Sequence, residues 1–345
     1  MLRFLTAGES HGKALIGILE GIPAGLKIDK AFIDKELARR QSGYGRGDRM
    51  KIEKDRVEII SGTFKTVTIG SPIGLCIRNK DASMDKLAPL FSPRPGHGDL
   101  AGGIKYDFSN LRCVLERASA RETAMRVAIG AICRSLLGKF KIKVSSKVCS
   151  IGGESGEKRI KQAIDQAKKS KDTLGGVFEV VVRGAPIGLG SYVHYDRRLD
   201  ARLAMGVMSV PAVKAVGIGL GFGYGDKYGS EVHDAIYYSA KKGYYRLTNN
   251  AGGIEAGVSN GKDIVLRVCM KPISTLGDPL DSVDIRTKKP HKAQVERYDT
   301  CAVYSASVVS ESVVAFEIAR AFVEKFGGDT IKEISRNLFS YLKNT

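Results

Sequence analysis

Five arginines, two histidines and one aspartate have the side chains needed to hold a negatively charged small molecule and to move protons on it. The arginines lie in predicted loops or at a predicted helix start: Arg40, Arg46, Arg49, Arg121 and Arg297. His11 and His97 each lie in a glycine-bounded turn, and Asp299 lies close after the last arginine. Guanidinium groups fork onto phosphate and carboxylate oxygens, and imidazole exchanges protons near neutral pH. If these groups converge, the site suits a substrate with several negative charges.

The stretch from Arg94 to Arg126 carries the clearest sign that one of these arginines binds a ligand. Ser119-Ala120-Arg121-Glu122 has the Ser-x-x-Glu form of a capping box, which predicts a helix that begins at Ser119. Apolar residues recur along one face of that helix: Ala120, Ala124, Met125, Ala128, Ile129, Ile132 and Leu136. A cation in the first turn opposes the helix dipole, so Arg121 is unfavourable for stability alone. An anion bound at this helix start would reverse that argument.

Predicted strands and helices come in clusters along the chain instead of alternating strictly. Strands are predicted at 2–6, 14–19, 56–61, 73–77, 141–148, 177–183, 211–222 and 264–270. Helices are predicted at 30–40, from 119 onward, and at 157–170, 197–208, 305–326 and 330–341. The core side chains expected from 305–326 are Val308, Val309, Val313, Phe316, Ile318 and Phe322. This order favours an α+β layered architecture over a Rossmann-type sheet, and we expect residues 1–345 to form a single domain.

Composition indicates a globular protein that attracts anions. Of 345 residues, 43% are hydrophobic and 27% are charged, and 55 Lys and Arg against 37 Asp and Glu give a net charge of +18. Such a field attracts nucleic acid and small anions alike, but tryptophan is absent and few aromatic residues accompany the basic clusters. No apolar run approaches the roughly 20 residues that span a bilayer. We therefore expect a cytoplasmic protein that binds neither nucleic acid nor a membrane.

The cysteines and the glycine-rich segments limit the kinds of metal, cofactor and anion site that the sequence predicts. Six cysteines occur without a C-x-x-C pair, which argues against both a disulfide framework and a metal site. The series GFGYGDKYGS at 221–230 lacks the G-x-G-x-x-G spacing of a dinucleotide site. The loop after Arg40 alternates glycine with arginine, which is typical of an adaptable anion-binding loop or of a flexible basic loop. Residues 248–261 (TNNAGGIEAGVSNG) could direct backbone N–H groups toward phosphates or polar ring edges.

These residues alone indicate an enzyme that acts on a polyanionic small molecule. Two alternatives remain open at this point. A basic RNA- or nucleotide-binding protein would bind its ligand in a salt-sensitive manner without turnover. A histidine-based phosphohydrolase would release phosphate without a cofactor. The chain has no zinc, P-loop or nucleophile-elbow signature that would favour another class of enzyme.

Seven segments resemble, in the same order, those of the chorismate synthase family. They are GESHG (8–12), RRQSGYGRGDRMKIEKD (39–55), RPGHGDLAGGIKY (94–106), RASARETAMRVAIGAI (117–132), TNNAGGIEAGVSNG (248–261), KPISTL (271–276) and ERYDTCAV (296–303). The resemblance covers essentially the whole chain. Departures occur at Gly217, Leu220, Ala256 and Tyr298 and in the short connection 79–91, and they affect loop detail and assembly contacts instead of the reaction.

The resemblance implies a lyase of the shikimate pathway to aromatic amino acids. Its reaction would be the trans-1,4-elimination of phosphate from 5-enolpyruvylshikimate 3-phosphate to give chorismate, with reduced FMN as cofactor and no net redox change. It further implies a homotetramer whose subunits sandwich helices between antiparallel sheets. Because the sequence shows no appended reductase domain, we expect an external flavin reductase or NAD(P)H system to supply reduced flavin, with an intrinsic NAD(P)H-dependent reductase activity as the alternative.

The resemblance also assigns roles to residues of this chain. His11 would protonate the leaving phosphate, His97 would protonate or hydrogen-bond the reduced flavin, and Asp299 would assist proton removal. The substrate would be held by Arg40, Arg46, Arg49, Arg121 and Arg297, aided by Ser119 and Ala120. The flavin would be held by Ser119, Asn250, Ala251, Gly252, Lys271, Ser274 and Thr275.

Overall fold

Two four-stranded antiparallel sheets enclose a layer of helices. The computed structural model describes residues 1–47, 54–241 and 243–343. The first sheet has the order β1 (Arg3–Ala7), β2 (Ala14–Glu20), β6 (Ile73–Arg78), β3 (Glu58–Ile59). The second has the order β7 (Lys143–Ile151), β8 (Gly176–Arg183), β14 (Ile264–Met270), β9 (Val213–Ile218). The predicted α+β sandwich of helices between antiparallel sheets is therefore confirmed.

The remaining strands form small hairpins at the edges of this sandwich. They pair as β4 (Thr63–Phe64) with β5 (Val67–Thr68), β10 (Ile236–Ser239) with β11 (Gly243–Arg246), β12 (Ile254–Glu255) with β13 (Val258–Ser259), and β15 (Asp281–Val283) with β16 (Pro290–Lys292). The helices are α1 (Lys30–Gln41), α2 (Asp99–Lys105), α3 (Arg112–Ala118), α4 (Thr123–Lys139), α5 (Glu157–Lys169), α6 (Leu199–Met208), α7 (Gly229–Val232), α8 (Val303–Phe326) and α9 (Ile331–Lys343). Among the described residues, no helix combines the length and apolar composition that crossing a membrane requires.

The core lies where α4 and α8 pack between the two sheets. α4 contacts β2 and β6 of the first sheet, and α8 contacts β7 and β8 of the second. All six apolar residues predicted for the core side of α8 are buried. Both sheets and the helical layer share one contiguous cluster of buried hydrophobic side chains. This core fixes the ends of the strands and helices that carry the candidate site residues.

The helix predicted from Ser119 begins later than its capping box suggests. Ser119 caps a short 3-10 turn, Ala120–Glu122, by accepting a hydrogen bond from the Arg121 backbone N–H at 3.3 Å, and α4 starts only at Thr123. Glu122 pairs with Arg126 of α4. Ala120 is exposed, so its predicted place in the core is wrong, whereas the other six predicted core residues of this helix are buried. The turn directs the Arg121 side chain into the protein.

The crossing of α4 and α8 depends on a glycine. A Cβ at Gly130 would lie 2.3 Å from Ser312 Cβ and 2.5 Å from Ser312 Cα, too close for either helix to remain in place. We expect Gly130→Ala to lower the free energy of unfolding by about 2–3 kcal/mol through overpacking. Gly138→Ala on the same helix, which would meet nothing within 4 Å, should raise it by up to about 1 kcal/mol. Urea unfolding of both variants measures this, and equal effects would contradict the close crossing.

Glu317 of α8 should make stability depend on pH. The residue is 5% exposed, and burial, with repulsion from Glu324, raises its pKa to about 6 from an ordinary 4.5 although Arg320 and Arg202 oppose the shift. A carboxyl whose pKa is raised by folding does not change the free energy of unfolding at a pH where it is protonated in both the folded and the unfolded state. As the pH rises from about 4.5 to about 6 and above, the unfolded state loses the proton more readily, and the folded state becomes less stable by comparison. We expect Glu317→Gln to raise the free energy of unfolding by about 1–2 kcal/mol above about pH 7 and to change little below about pH 4. Equal effects in urea unfolding at both pH values would refute this.

Candidate active site

Two of the predicted arginines meet around one buried carboxylate, and a third lies close by. Arg40 lies near the end of α1 and Arg121 in the turn before α4, and both are buried. Arg121 Nη1 lies 2.7 Å from the Asp55 carboxylate and Arg40 Nη1 lies 3.8 Å from it. Arg46 is close enough for its charge to act on Arg40. The cluster has more positive than negative charge, which suits a bound anion.

Arg40 is held in place but is not fully neutralised. Its Nε donates to Thr123 Oγ1 at 3.0 Å and its Nη2 to the Ala120 carbonyl at 2.8 Å. Its Nη1 is buried and has no hydrogen-bond partner among the residues that the structure describes. Burial, together with repulsion from Arg121 and Arg46, lowers the pKa of Arg40 to about 10 against the opposing attraction of Asp55. A phosphate or carboxylate at Nη1 would supply the missing acceptor.

His11 lies beside this cluster, in the loop between β1 and β2. Its ring Nδ1 lies 2.8 Å from Glu116 Oε2, and its backbone N–H donates to the same oxygen at 2.9 Å. Asn79 joins the loop to the arginines: its side-chain amide donates to the Glu9 and Gly12 carbonyls at 3.1 and 2.7 Å, and its Oδ1 accepts from Arg121 Nε at 2.9 Å. His11 and the cationic cluster are therefore parts of one hydrogen-bonded unit.

Ser119 extends the same unit. Its hydroxyl donates at 3.3 Å to Oγ of Ser10, the residue that precedes His11 in the sequence. Asp299 forms an ion pair with Arg46 and accepts from the Gly47 N–H at 2.6 Å, so it belongs to the edge of the cluster. Arg297 is exposed, and no hydrogen bond or ion pair within the described ranges joins its side chain to the cluster. Arg49 lies outside the described residues.

His97 and three of the predicted flavin residues form a second group. His97 Nδ1 lies 2.6 Å from Asp99 Oδ1 and 3.0 Å from Arg94 Nη2. Arg94 also donates to Thr275 Oγ1 at 2.8 Å. Ser274 Oγ donates to the Gly96 carbonyl at 2.8 Å and accepts from Lys271 Nζ at 2.8 Å. The loop after β14 and the loop that carries His97 therefore lie against each other.

Lys271 provides a charge suited to an anionic cofactor group. Its ammonium donates to Ser274 Oγ and, at 3.4 Å, to the Pro272 carbonyl, both neutral acceptors. No carboxylate of the described residues forms an ion pair with it. Desolvation, followed by repulsion from Lys214, lowers its pKa. A phosphate bound beside Lys271, Ser274 and Thr275 would meet one cation and two hydroxyls, so these residues fit the phosphate end of a flavin nucleotide.

Of the four other predicted flavin residues, Ser119 lies beside Ser10, and the remaining three lie elsewhere in the same chain. The Gly252 carbonyl accepts a hydrogen bond from the Val265 N–H at 3.1 Å, at the beginning of β14, whereas Lys271 follows the end of that strand. Six residues of extended strand separate these two points by about 20 Å. The backbone N–H groups of Asn250 and Ala251 donate to Asp234 at 2.9 Å each. One chain therefore does not bring Asn250, Ala251 and Gly252 next to Lys271.

Sequence reasoning missed the acidic and amide residues that organise the site. These are Asp55, Asn79, Asp99, Glu116 and Asp234. Asp55 and Asp99 lie within segments that carry candidate residues, and Glu116 adjoins one. No recognised catalytic or binding motif, however, requires an acid or an amide at any of the five positions. Their roles depend on which basic side chain the fold places beside them.

Known proteins that resemble this chain share both its sequence and its fold. The family model described as chorismate synthase matches residues 2–323. Chorismate synthase of Thermoanaerobacter pseudethanolicus is 55% identical over 344 residues, covering 99% of this chain and 98% of that protein. The enzyme of Geobacter metallireducens is 51% identical over 387 aligned residues, with 99% and 98% covered. A crystal structure of chorismate synthase superposes with a TM-score of 0.83 at 41% identity, covering 99% of this chain and 98% of that one.

Proposed function

Because this chain belongs to the chorismate synthase family, we propose that it is a lyase that converts 5-enolpyruvylshikimate 3-phosphate to chorismate and phosphate by trans-1,4-elimination, in the shikimate pathway. The observation that carries the proposal is the buried guanidinium of Arg40, whose Nη1 lacks a hydrogen-bond partner in the described part of the chain. Arg121 and Arg46 add charge to the same place. Such a cluster suits a substrate that carries a phosphate and two carboxylates.

The substrate-binding side of the mechanism follows from the cationic cluster. Arg40, Arg46 and Arg121 would neutralise the substrate anions and stabilise the charge that develops as phosphate departs. His11, joined to Arg121 through Asn79, would donate a proton to the leaving phosphate from Nε2. Ser119 would add a hydroxyl at the same end, and Asp299, next to Arg46, would assist proton removal at the other.

Reduced FMN, when bound, would supply transient electron donation to the allylic system of the substrate. Lys271, Ser274 and Thr275 would hold its phosphate end, and His97 would hydrogen-bond or protonate the reduced ring. Arg94 links His97 to Thr275, so movement of the flavin loop and of the histidine would be coupled. We further propose that an external NAD(P)H-dependent flavin reductase keeps the flavin reduced, and that the enzyme works in the cytoplasm.

We propose that a second copy of the chain completes the flavin site within a homotetramer. The loop of Asn250, Ala251 and Gly252 is tied to Asp234, which immediately precedes the β10–β11 hairpin. That hairpin exposes Ile236 at 62%, Tyr238 at 66% and Tyr244 at 72%. Exposed apolar residues concentrated in one hairpin are typical of a protein interface. A partner bound there would bring the loop to a flavin site that its own chain places about 20 Å away.

Mixing two defective variants tests the shared site. Lys271→Met should weaken the phosphate end of the flavin site, and Ala251→Glu should block the loop contributed by the second copy. Each variant alone should lose most of its activity. When the two variants are mixed and reassembled, up to about a quarter of wild-type activity should return. About half of the pairs of chains would then contain one copy of each variant, and one of the two sites in each such pair would have both its lysine and its loop intact. No recovery in reassembled mixtures of native mass would contradict the sharing.

The proposed reaction is tested by supplying the enolpyruvyl substrate under anaerobic conditions with reduced FMN, with oxidised FMN, or without flavin. Phosphate and chorismate should form only with reduced FMN. Phosphate release that ignores the flavin would instead indicate a phosphohydrolase. Salt-sensitive binding of RNA without any product would indicate a nucleic-acid-binding protein.

A further inference from the structure

Glu116 of α3 is a buried carboxylate whose hydrogen bonds converge on His11. Its side chain has no exposed surface. Its Oε2 accepts a hydrogen bond from the His11 backbone N–H at 2.9 Å and also lies 2.8 Å from His11 Nδ1. The neighbouring Ser10 N–H donates to the Glu116 carbonyl at 3.0 Å. Three contacts therefore fix the loop and the ring together against one helix.

The charge of Glu116 has little other compensation. Its Oε1 is buried and has no hydrogen-bond partner within the described ranges, and Arg112 Nη1 lies 3.9 Å away while pairing with Glu296 at 2.9 Å. Burial opposes ionisation of Glu116, but the hydrogen bond and charge of the His11 ring outweigh it and lower the pKa of Glu116. A carboxylate accepts and cannot donate, so an Nδ1 at 2.8 Å must carry a proton.

His97 provides an internal comparison. Its Nδ1 faces the acceptor Asp99 and the donor Arg94 at once, at 2.6 and 3.0 Å. Arg94 is itself paired with Asp99, Nε to Oδ2 at 2.8 Å, so that carboxylate is already compensated. The surroundings of His97 offer Nδ1 both a donor and an acceptor, whereas the described residues around His11 Nδ1 offer an acceptor alone.

We propose that Glu116 is a positioning residue that keeps the proton on Nδ1 of His11, so that Nε2, the ring nitrogen on the side away from Glu116, is the atom that transfers a proton. This inference rests on the proposed function for its kinetic consequence, since His11 is there the acid for the departing phosphate. The logic is that of any acid–histidine pair in which the acid sets the tautomer and orientation of the ring. The Asp81 carboxylate lies on the other side of the ring, with Oδ2 4.0 Å from His11 Nε2.

The tautomer can be measured without any assay of activity. We expect nitrogen-15 NMR of histidine-labelled protein, with the His11 signals assigned from the His11→Ala variant, to show neutral His11 protonated at Nδ1. Neutral His11 protonated at Nε2 in the wild-type protein would overturn the proposal. Because this result does not depend on catalysis, it separates failure of the inference from failure of the proposed reaction.

A double-mutant cycle tests the kinetic role. Glu116→Gln should lower kcat by about 10- to 100-fold with little change in KM, because the charge that matches the imidazolium is lost while an acceptor oxygen remains. In the His11→Ala background the same substitution should change kcat by less than about two-fold. An equal loss in both backgrounds would reduce Glu116 to a structural role, and no loss in either would also refute the proposal.

A matched control removes a comparable carboxylate elsewhere. Asp34 is 7% exposed and accepts the Val57 backbone N–H at 3.0 Å, as Glu116 accepts that of His11. Asp34→Asn should leave the His11 tautomer and kcat unchanged. If Glu116→Gln does not fold, Glu116→Asp, which keeps the charge on a shorter side chain, should retain more activity than His11→Ala, and less activity would contradict the proposal.

Discussion

Replacing His11 with alanine should lower turnover by about two to four powers of ten while the affinity for substrate stays within a few-fold of wild type. The reason is that His11 is expected to donate a proton only as phosphate leaves, whereas the arginines supply most of the binding of the intact substrate. Steady-state kinetics with reduced FMN held in excess would measure kcat and KM separately.

His194→Ala is a suitable control for that experiment. His194 also has Nδ1 2.8 Å from a carboxylate, that of Asp196, but its side chain is 55% exposed and it lies outside the cluster. It should keep full activity. Unchanged turnover in His11→Ala would remove His11 from the mechanism, and a loss confined to KM would make it a binding residue.

Arg40→Met should abolish most activity without a comparable loss of stability. We expect kcat/KM to fall by about 100-fold or more, because a buried, preoriented guanidinium no longer meets the substrate anion. The midpoint of thermal unfolding should stay close to that of wild type or rise, since an apolar side chain of similar length replaces a buried charge that is incompletely paired in the free protein. Raised KM together with retained stability is the signature of a binding residue.

Arg39, the neighbour of Arg40 in the sequence, offers a control whose replacement should lower stability and leave activity unchanged. Arg39 donates to Glu311 through both Nη atoms, at 3.0 and 2.9 Å, and this hydrogen bonding to the Glu311 carboxylate raises the pKa of Arg39. Arg39→Met should lower the free energy of unfolding by about 1–3 kcal/mol, since it leaves the buried Glu311 less well paired. Turnover of the folded variant should be retained. If Arg40→Met instead lost as much stability as Arg39→Met, the lack of a hydrogen-bond partner for Nη1 among the described residues would not mark a ligand site.

The parts of the fold that could be predicted from sequence are those with a regular apolar pattern. β14 was predicted at 264–270 and runs over those residues because apolar side chains alternate inward along it. α8 followed from its apolar period in the same way. The predicted strand at 56–61 is reduced to Glu58–Ile59, which pair with Cys76 and Leu75 of β6, and the Ile60 N–H adds one hydrogen bond to the Gly74 carbonyl.

The site could be predicted in its cations but not in its carboxylates. Arg121 stood out because a cation is unfavourable at a helix start, and the structure places it against Asp55 and Asn79. Asp55 and Glu116 lie within or next to segments that carry candidate residues, but neither is in a position that is unfavourable for local stability, as Arg121 is. Their importance arises from tertiary contacts 66 and 105 residues apart in the chain, which no local pattern encodes.

The arrangement of the flavin residues shows a different limit of sequence reasoning. Motifs list residues that meet a cofactor but do not say which copy of the chain contributes them. The strand β14 separates Gly252 from Lys271 in space although both flank it in sequence. The geometry of the chain places the two groups about 20 Å apart, and this separation is the reason we propose that a second copy contributes one of them.

The measurement that tests the central claim most directly is the stoichiometry of products in one anaerobic reaction with catalytic reduced FMN. Phosphate and chorismate should appear in equal amounts, many times the amount of flavin, and the flavin should still be reduced when the substrate is exhausted. Arg40→Met should remove both products together. Phosphate without chorismate, or consumption of one reduced flavin for each product formed, would contradict the account.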